Sequence, residues 1–260
     1  MWLDEDAPIR KRDLVLEHPF VNAPGTLGFA PDSHAMPFLE HLGAFITNPI
    51  SRHARQSARN RVCIPFPGGF LLHTGWPNPG IRRAITHHSH AWAESSIPVI
   101  VHLLGEEPQT ITEMVRQLES LENLLAVEIG LPPNCDPVLL MDFLDASEGE
   151  LPRIISLEPS QIPELLNTLL ERQPAAVHLQ PPRGTLPEVG GELVRGRLYG
   201  PAIFPLSLQA GQHLATTGLR VFAGVGTVNR HQVHTLLDNG ISAVSLGAAL
   251  WGIPSSELFD

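Results

Sequence analysis

The chain has 260 residues, a formal net charge of −10 and 43% hydrophobic residues. That length suits one large α/β barrel of about 250 residues, and the negative balance argues against nucleic acid or an anionic membrane as partner. No apolar run nears the roughly 18 residues of a membrane span, the opening MWLDEDAPIRKRD lacks a signal-peptide core, and two cysteines, Cys63 and Cys135, exclude a disulfide framework and point to the cytoplasm.

Short apolar runs alternate with segments of helical period, the pattern of parallel βα units. A first strand is predicted at Phe20–Asn22, then a Gly/Pro turn and a helix around Met36–Leu42. A second strand, Ala44–Thr47, precedes a long irregular stretch from Pro49 to Pro79, and a helix follows over Ile81–Glu94. PVIVHLL forms strand three, and Thr110 reads as the N-cap of a helix running to Leu121. LLAVEIG is strand four, with a helix over Pro137–Ala146; RIISLEP is strand five, with a helix over Pro163–Glu171. AAVHLQ is strand six, followed by an insertion to about Gly196 and a helix over Pro205–Thr217. LRVFAGV, a helix over Arg230–Asn239 and AVSLGAA complete the series. Eight strands in this order predict a single α/β domain, a (β/α)8 TIM barrel of parallel strands over residues 1–260, with an N-terminal extension of about residues 1–18. The rival, a doubly wound open sheet, would carry its glycine signature after the first strand; here the glycines gather at the end.

Those late glycines carry chemistry. Gly224, Gly226 and Thr227 follow strand seven, Gly247 and Ala248 follow strand eight, and Gly200 closes the insertion after strand six. In barrels the loops after strands seven and eight often hold phosphate, because glycines let backbone N–H groups approach an oxyanion closely. Each turn alone is equally explained by conformation; three on consecutive units favour the anion. Arg52, Arg55, Arg59 and Arg61 make one basic segment, either a solvated loop or a loop facing an anion. Lysine occurs once, at Lys11, before the first core strand.

VNAPGTLGFAPD with LGAFITNPIS, then PFPGGFLLHTGWPNPGI, GRLYGPAIFPLSL, FAGVGTV and AVSLGAA resemble, in order and spacing, the soluble class of dihydroorotate dehydrogenases from about Pro19 to Trp251. The resemblance implies a flavoprotein oxidoreductase of pyrimidine biosynthesis, with FMN at the strand C-termini. Ala23, Gly25 and the late glycines would hold that cofactor, Asn78 and Asn134 would meet substrate, and a homodimer is implied because the soluble class pairs its barrels. Several positions depart from the family. Ser156 stands where a strand-five lysine would lie beside the flavin, and Asn48 where a second lysine would follow strand two. Pro132 occupies the place of the cysteine or serine base, and proline has no ionisable group; Cys135 lies three positions on. Leu72, His102 and either Ile129 or Gly130 replace asparagines, and Pro24 replaces a small polar residue.

His102, Glu128 and His178 sit near strand ends at the expected mouth, with His73 in the loop after strand two. Two histidines and a carboxylate can perform acid–base work or hold a metal, or simply satisfy one another; no metal site is assigned. His87, His88 and His90 fall on a helix where neighbours point apart. Three functions follow: an FMN oxidoreductase with altered substrate, a catalytically degenerate barrel or partner subunit binding a phosphorylated small molecule or inorganic anion, or a lyase or isomerase using His102, Glu128 and His178.

Overall fold

Parallel β-strands supply the frame. The computed structural model describes residues 13–252 and 257–259, so Lys11 and most of the expected N-terminal extension lie outside the described residues. In chain order the elements are β1 (Phe20–Asn22), β2 (Phe45–Ile46), β3 (Val62–Phe66), β4 (Gly69–His73), α1 (Ile81–Ala93) and β5 (Val99–Leu104). Next come α2 (Pro108–Leu118), β6 (Leu124–Gly130), α3 (Pro137–Ala146), β7 (Arg153–Leu157), α4 (Ile162–Arg172) and β8 (Ala176–Leu179). The last third holds β9 (Arg183–Pro187), β10 (Leu193–Tyr199), α5 (Phe204–Ala215), β11 (Val221–Ala223), α6 (Arg230–Asp238) and β12 (Ala243–Leu246).

Eight strands form one sheet in the order β1-β12-β11-β8-β7-β6-β5-β2. A parallel bridge from Val21 to Ala44 joins its two ends. Asn22 locks the same seam, donating to the Ile46 carbonyl and accepting from the Ile46 amide, both at 2.7 Å. The expected (β/α)8 barrel is therefore the observed one, and the open sheet is excluded.

Strand period two sorts each side chain to one face. Ile100, Ala126, Ile154, Ala176 and Ala243 point inward and pack with Leu14 and Phe222 as a dry inner core. Their outward neighbours, among them Val101, Val127, Ile155, Val177 and Val244, pack under the helices. α2 shows how a helix covers the barrel: Ile111, Met114, Val115 and Leu118 recur at three- and four-residue spacing, and all four are buried. Burying side chains of this size contributes about 1.5–3 kcal/mol each.

Two long connections depart from the sequence reading. The stretch from Pro49 to Pro79 contains the hairpin β3–β4, turned at Pro67-Gly68 with Gly68 at φ +83°. Proline followed by a positive-φ glycine is the signature of a type II turn, and it went unread beside so many other prolines. The insertion after β8 is also a hairpin, β9–β10, and β10 pairs antiparallel with β4. Together they make a four-stranded sheet, β3-β4-β10-β9. The helix expected over Met36–Leu42 is only a 3-10 turn at Leu39–His41; Pro37 and Gly43 leave too few residues between them for an α-helix. Thr110 is not a cap: α2 begins at Pro108 with Glu107 as N-cap, and the Thr110 hydroxyl donates back to the Glu107 carbonyl at 2.7 Å. Proline's fixed φ suits the first helical turn better than threonine suits its cap.

Candidate functional site

Moving up each inward column by two residues, the barrel lining changes from apolar to polar. Above Ile100, Ala126, Ile154, Ala176 and Ala243 stand His102, Glu128, Ser156, His178 and Ser245, all buried. Glu128 is the hub. Its Oε1 lies 2.9 Å from His102 Nδ1 and its Oε2 3.0 Å from His178 Nδ1. Burial alone would raise its carboxyl, but His178 and His102 outweigh that and hold it far below the ordinary carboxylate range. An ionised carboxylate only accepts, so each Nδ1 carries a proton. In the neutral ring, His178 Nε2 then accepts from the Ser245 hydroxyl at 2.7 Å, and His102 Nε2 keeps its lone pair.

His102 Nε2 reaches a cavity of about 710 Å³ at the barrel mouth. One layer higher are Gly130, the last residue of β6, and Gln180, just past the end of β8. A Cβ on Gly130 would lie 2.6 Å from His102 Nε2 and 3.3 Å from Gln180 Nε2, so the absent side chain keeps both groups open to the cavity. Gln180 also donates to Ser156 Oγ at 2.6 Å.

The four-stranded sheet forms a wall of this cavity. Its register sets Arg197 of β10 opposite Arg183 of β9, a like-charge pair that Glu158 relieves from the end of β7. Arg183 Nε meets Glu158 Oε1 at 2.5 Å, and Arg197 Nη2 stands 3.8 Å from the same oxygen. Arg197 is buried, donates to the Pro181 carbonyl at 3.0 Å and leaves its Nε without a partner. Burial lowers its pKa. Its guanidinium sits 5.3 Å from the Trp76 ring centroid, a cation–π contact. Trp76 holds φ +55°, an uncommon backbone state for a bulky residue. Arg195 also lines the cavity, as do Arg55 and Glu106, which pair at 2.6 Å.

A second, smaller pocket of about 40 Å³ lies over the ends of β1, β11 and β12. Ala23, Gly200, Gly226, Thr227, Gly247 and Ala248 line it, as does Ser245. By volume it holds a few waters or one phosphate-sized group, since one water occupies roughly 10–15 Å³ on this measure. Gly226 has φ +86°, and a Cβ there would lie 2.5 Å from the Phe204 amide nitrogen. Thr227 is buried, yet its Oγ1 has no hydrogen-bond partner. Tyr199 lines both cavities.

The structure thus brings six of the eight residues expected around the cofactor into the small pocket. Gly25 lies instead in the large cavity, and Gly224 lines neither, packing on the Ser245 backbone. Asn78 is a scaffold residue: its side chain binds Ser51, the Gly80 amide and the Trp76 carbonyl. Asn134 is exposed and lines neither cavity. Between the alternatives for the third lost asparagine, strand parity chooses Gly130, because Ile129 points into the outer core. Cys135 is buried in that core, its thiol pushed up to about 12 by burial and by Asp136 and Glu164, so it does not replace a base at the mouth. Arg52 and Arg55 bind Glu113 and Glu106. His88 stacks on Phe29 and Trp92. Among the described residues no group of three His, Cys, Asp or Glu side chains is arranged to hold a metal ion. Sequence reading missed Ser245, Gln180, Arg183 and Arg197. Counting by two from Ala243 and Ala176 finds the first two; the arginines needed the hairpin pairing.

A cavity over the C-terminal strand ends is where (β/α)8 enzymes carry their active sites, which places this chain in that class of architecture. No protein-family model matches it. It is 24% identical to the catalytic subunit of dihydroorotate dehydrogenase B (NAD(+)) of Pelobacter propionicus over 281 residues, covering 97% of this chain and 90% of that protein. The corresponding subunit of Geotalea daltonii is 25% identical, covering 96% and 89%, and that of Trichlorobacter lovleyi 23%, covering 94% and 87%. The chain is a distant, dihydroorotate-dehydrogenase-like barrel. Among the described residues no helix is long and apolar enough to cross a membrane.

Proposed function

We propose that this barrel binds FMN or another phosphorylated ligand, with the phosphate in the small pocket, and that it does not oxidise dihydroorotate. The observation that carries the first half is the buried, unpartnered Thr227 hydroxyl among three glycines. An unsatisfied buried polar atom costs about 1–3 kcal/mol, and a bound oxyanion would accept from it. The pocket fits a phosphate, and Tyr199 marks where the rest of the ligand would pass toward the mouth.

FMN, when bound, would supply a hydride acceptor. The residues around it differ from what that chemistry uses in the related enzymes. Ser156 is neutral and engaged by Gln180, Asn48 accepts from the Gly28 amide at 3.1 Å, and Pro132 carries no proton-accepting group.

Thermal unfolding with FMN and, separately, with inorganic phosphate tests the reading. Saturation at 100 times the Kd adds about 2.7 kcal/mol of stability, so a clear rise in Tm is expected for wild type. Thr227→Val should weaken binding about tenfold or more, the worth of one hydrogen bond to a charged group. No rise in Tm with either compound would overturn the proposal.

A further inference from the structure

The mouth cavity has its own chemistry, beyond phosphate anchoring. Three observations converge there. The chain carries a net charge of −10, yet the cavity is lined by Arg55, Arg183, Arg195 and Arg197 against one lining glutamate, Glu106. Glu158, shared between Arg183 and Arg197, offsets them further, as does the ionised Glu128 beneath His102, which leaves the four arginines in excess of the three carboxylates. A positive cleft in an acidic protein concentrates small anions, and guanidinium groups suit a carboxylate. Second, His102 presents Nε2 to this cavity while its Nδ1–H is held by Glu128. A carboxylate fixing one ring nitrogen orients the other for proton transfer. Third, Gln180 Nε2 flanks the same gap over Gly130, and its amide has a second N–H besides the one given to Ser156.

We propose that the mouth cavity binds a small 2-oxo acid and that His102 is its proton-transferring catalytic residue, with Glu128 and His178 as positioning residues. The carboxylate faces the arginines. His102 Nε2 takes a proton from the carbon next to the ketone. The C–H electron pair becomes the C=C bond of an enolate, whose oxygen gains the charge and accepts from Gln180. Return of a proton from the His102 imidazolium to carbon restores the ketone, so no oxidant or reductant is consumed. Glu128 offsets the imidazolium charge, and His178, pinned by Ser245, holds the second carboxylate oxygen. The inference extends the proposed function to the mouth and does not require the small pocket to be filled.

The test is hydrogen exchange at C3 of 2-oxoglutarate in D2O, followed by proton NMR, with binding measured by calorimetry. Wild type should exchange C3 hydrogens well above the protein-free rate. His102→Asn should lose the enhancement by about 10²-fold or more while still binding 2-oxoglutarate, and circular dichroism checks that it folds. Arg195→Gln, altering an exposed cavity residue, should weaken binding with little change in the rate at saturation. Glu128→Gln should cut the rate by about 10²-fold or more, as a misplaced ring tautomer does, and should move the pH profile, which a purely structural loss would leave in place. Binding without exchange, or exchange that survives His102→Asn, overturns the role of His102. Absence of saturable binding overturns the carboxylate site. Either result leaves FMN and phosphate binding at the small pocket intact, so the two readings fail separately.

Discussion

The two cavities that share Tyr199 are built from different material. The small pocket is made mostly of turns: Gly200, Gly226 and Gly247 shape it, and Thr227 adds a buried hydroxyl without a partner. The mouth cavity, though glycines also line it, takes its polar character from side chains, with His102, Gln180 and the arginines of β9 and β10 around it. A backbone-built site depends on loop geometry, which the barrel fixes, whereas a side-chain site changes its chemistry with each substitution. Under the proposed function, Ser156, Asn48 and Pro132 would be such substitutions at the mouth, while the glycine turns of the small pocket would still receive an oxyanion.

The largest expected effect lies under the mouth. Glu128→Ala removes the carboxylate between two buried imidazoles and should cost about 3–5 kcal/mol, as breaking a buried ion pair does, read from urea unfolding near pH 7. The pH dependence follows from the direction of the shift. The folded carboxyl sits below its ordinary value of 4.5, so its contribution is complete above that value and is lost as pH falls toward the folded one. Between roughly pH 5 and 3, wild type should lose stability more steeply than Glu128→Gln. Equal slopes would remove the carboxylate from the centre of the site.

Next in size is the pocket itself. Gly226→Ala places a Cβ 2.5 Å from the Phe204 amide at φ +86°, a strain of about 1–3 kcal/mol. It should abolish the Tm rise with phosphate and leave 2-oxoglutarate binding unchanged. Joint failure of both would mean that the two cavities act as one site. The smallest effect is kinetic. Exposed Cys63 should react with a thiol reagent in the native protein, while buried Cys135, its thiol pushed up to about 12, should react only on unfolding. Rapid labelling of both would reopen Cys135 as a reactive group.

Much of the barrel was legible because parallel strands bury both faces and read as apolar runs; LLAVEIG and the helix at Pro137–Ala146 match to the residue. The hairpins were not, because VCIPF and GFLLH run apolar with no polar–apolar alternation before His73, although the strands are only partly buried. That omission hid Arg183 and Arg197, which come to the mouth only through pairing of segments more than a hundred residues apart in sequence, β4 with β10. His102, Glu128 and His178 were visible as polar breaks in apolar strands. Their mutual hydrogen bonds were not, since they depend on the strand order, with β5 beside β6 and β8 two strands from β6 across β7 inside the closed barrel. Ser245 escaped notice because a serine in AVSL signals nothing until Ala243 is known to face inward.

Flavin binding and dihydroorotate oxidation are separable, and one anaerobic titration addresses both. Protein saturated with FMN is mixed with excess dihydroorotate while the flavin absorption band is followed. The account predicts that the flavin stays bound and its oxidised band persists. Bleaching of that band at a rate set by the protein would contradict it.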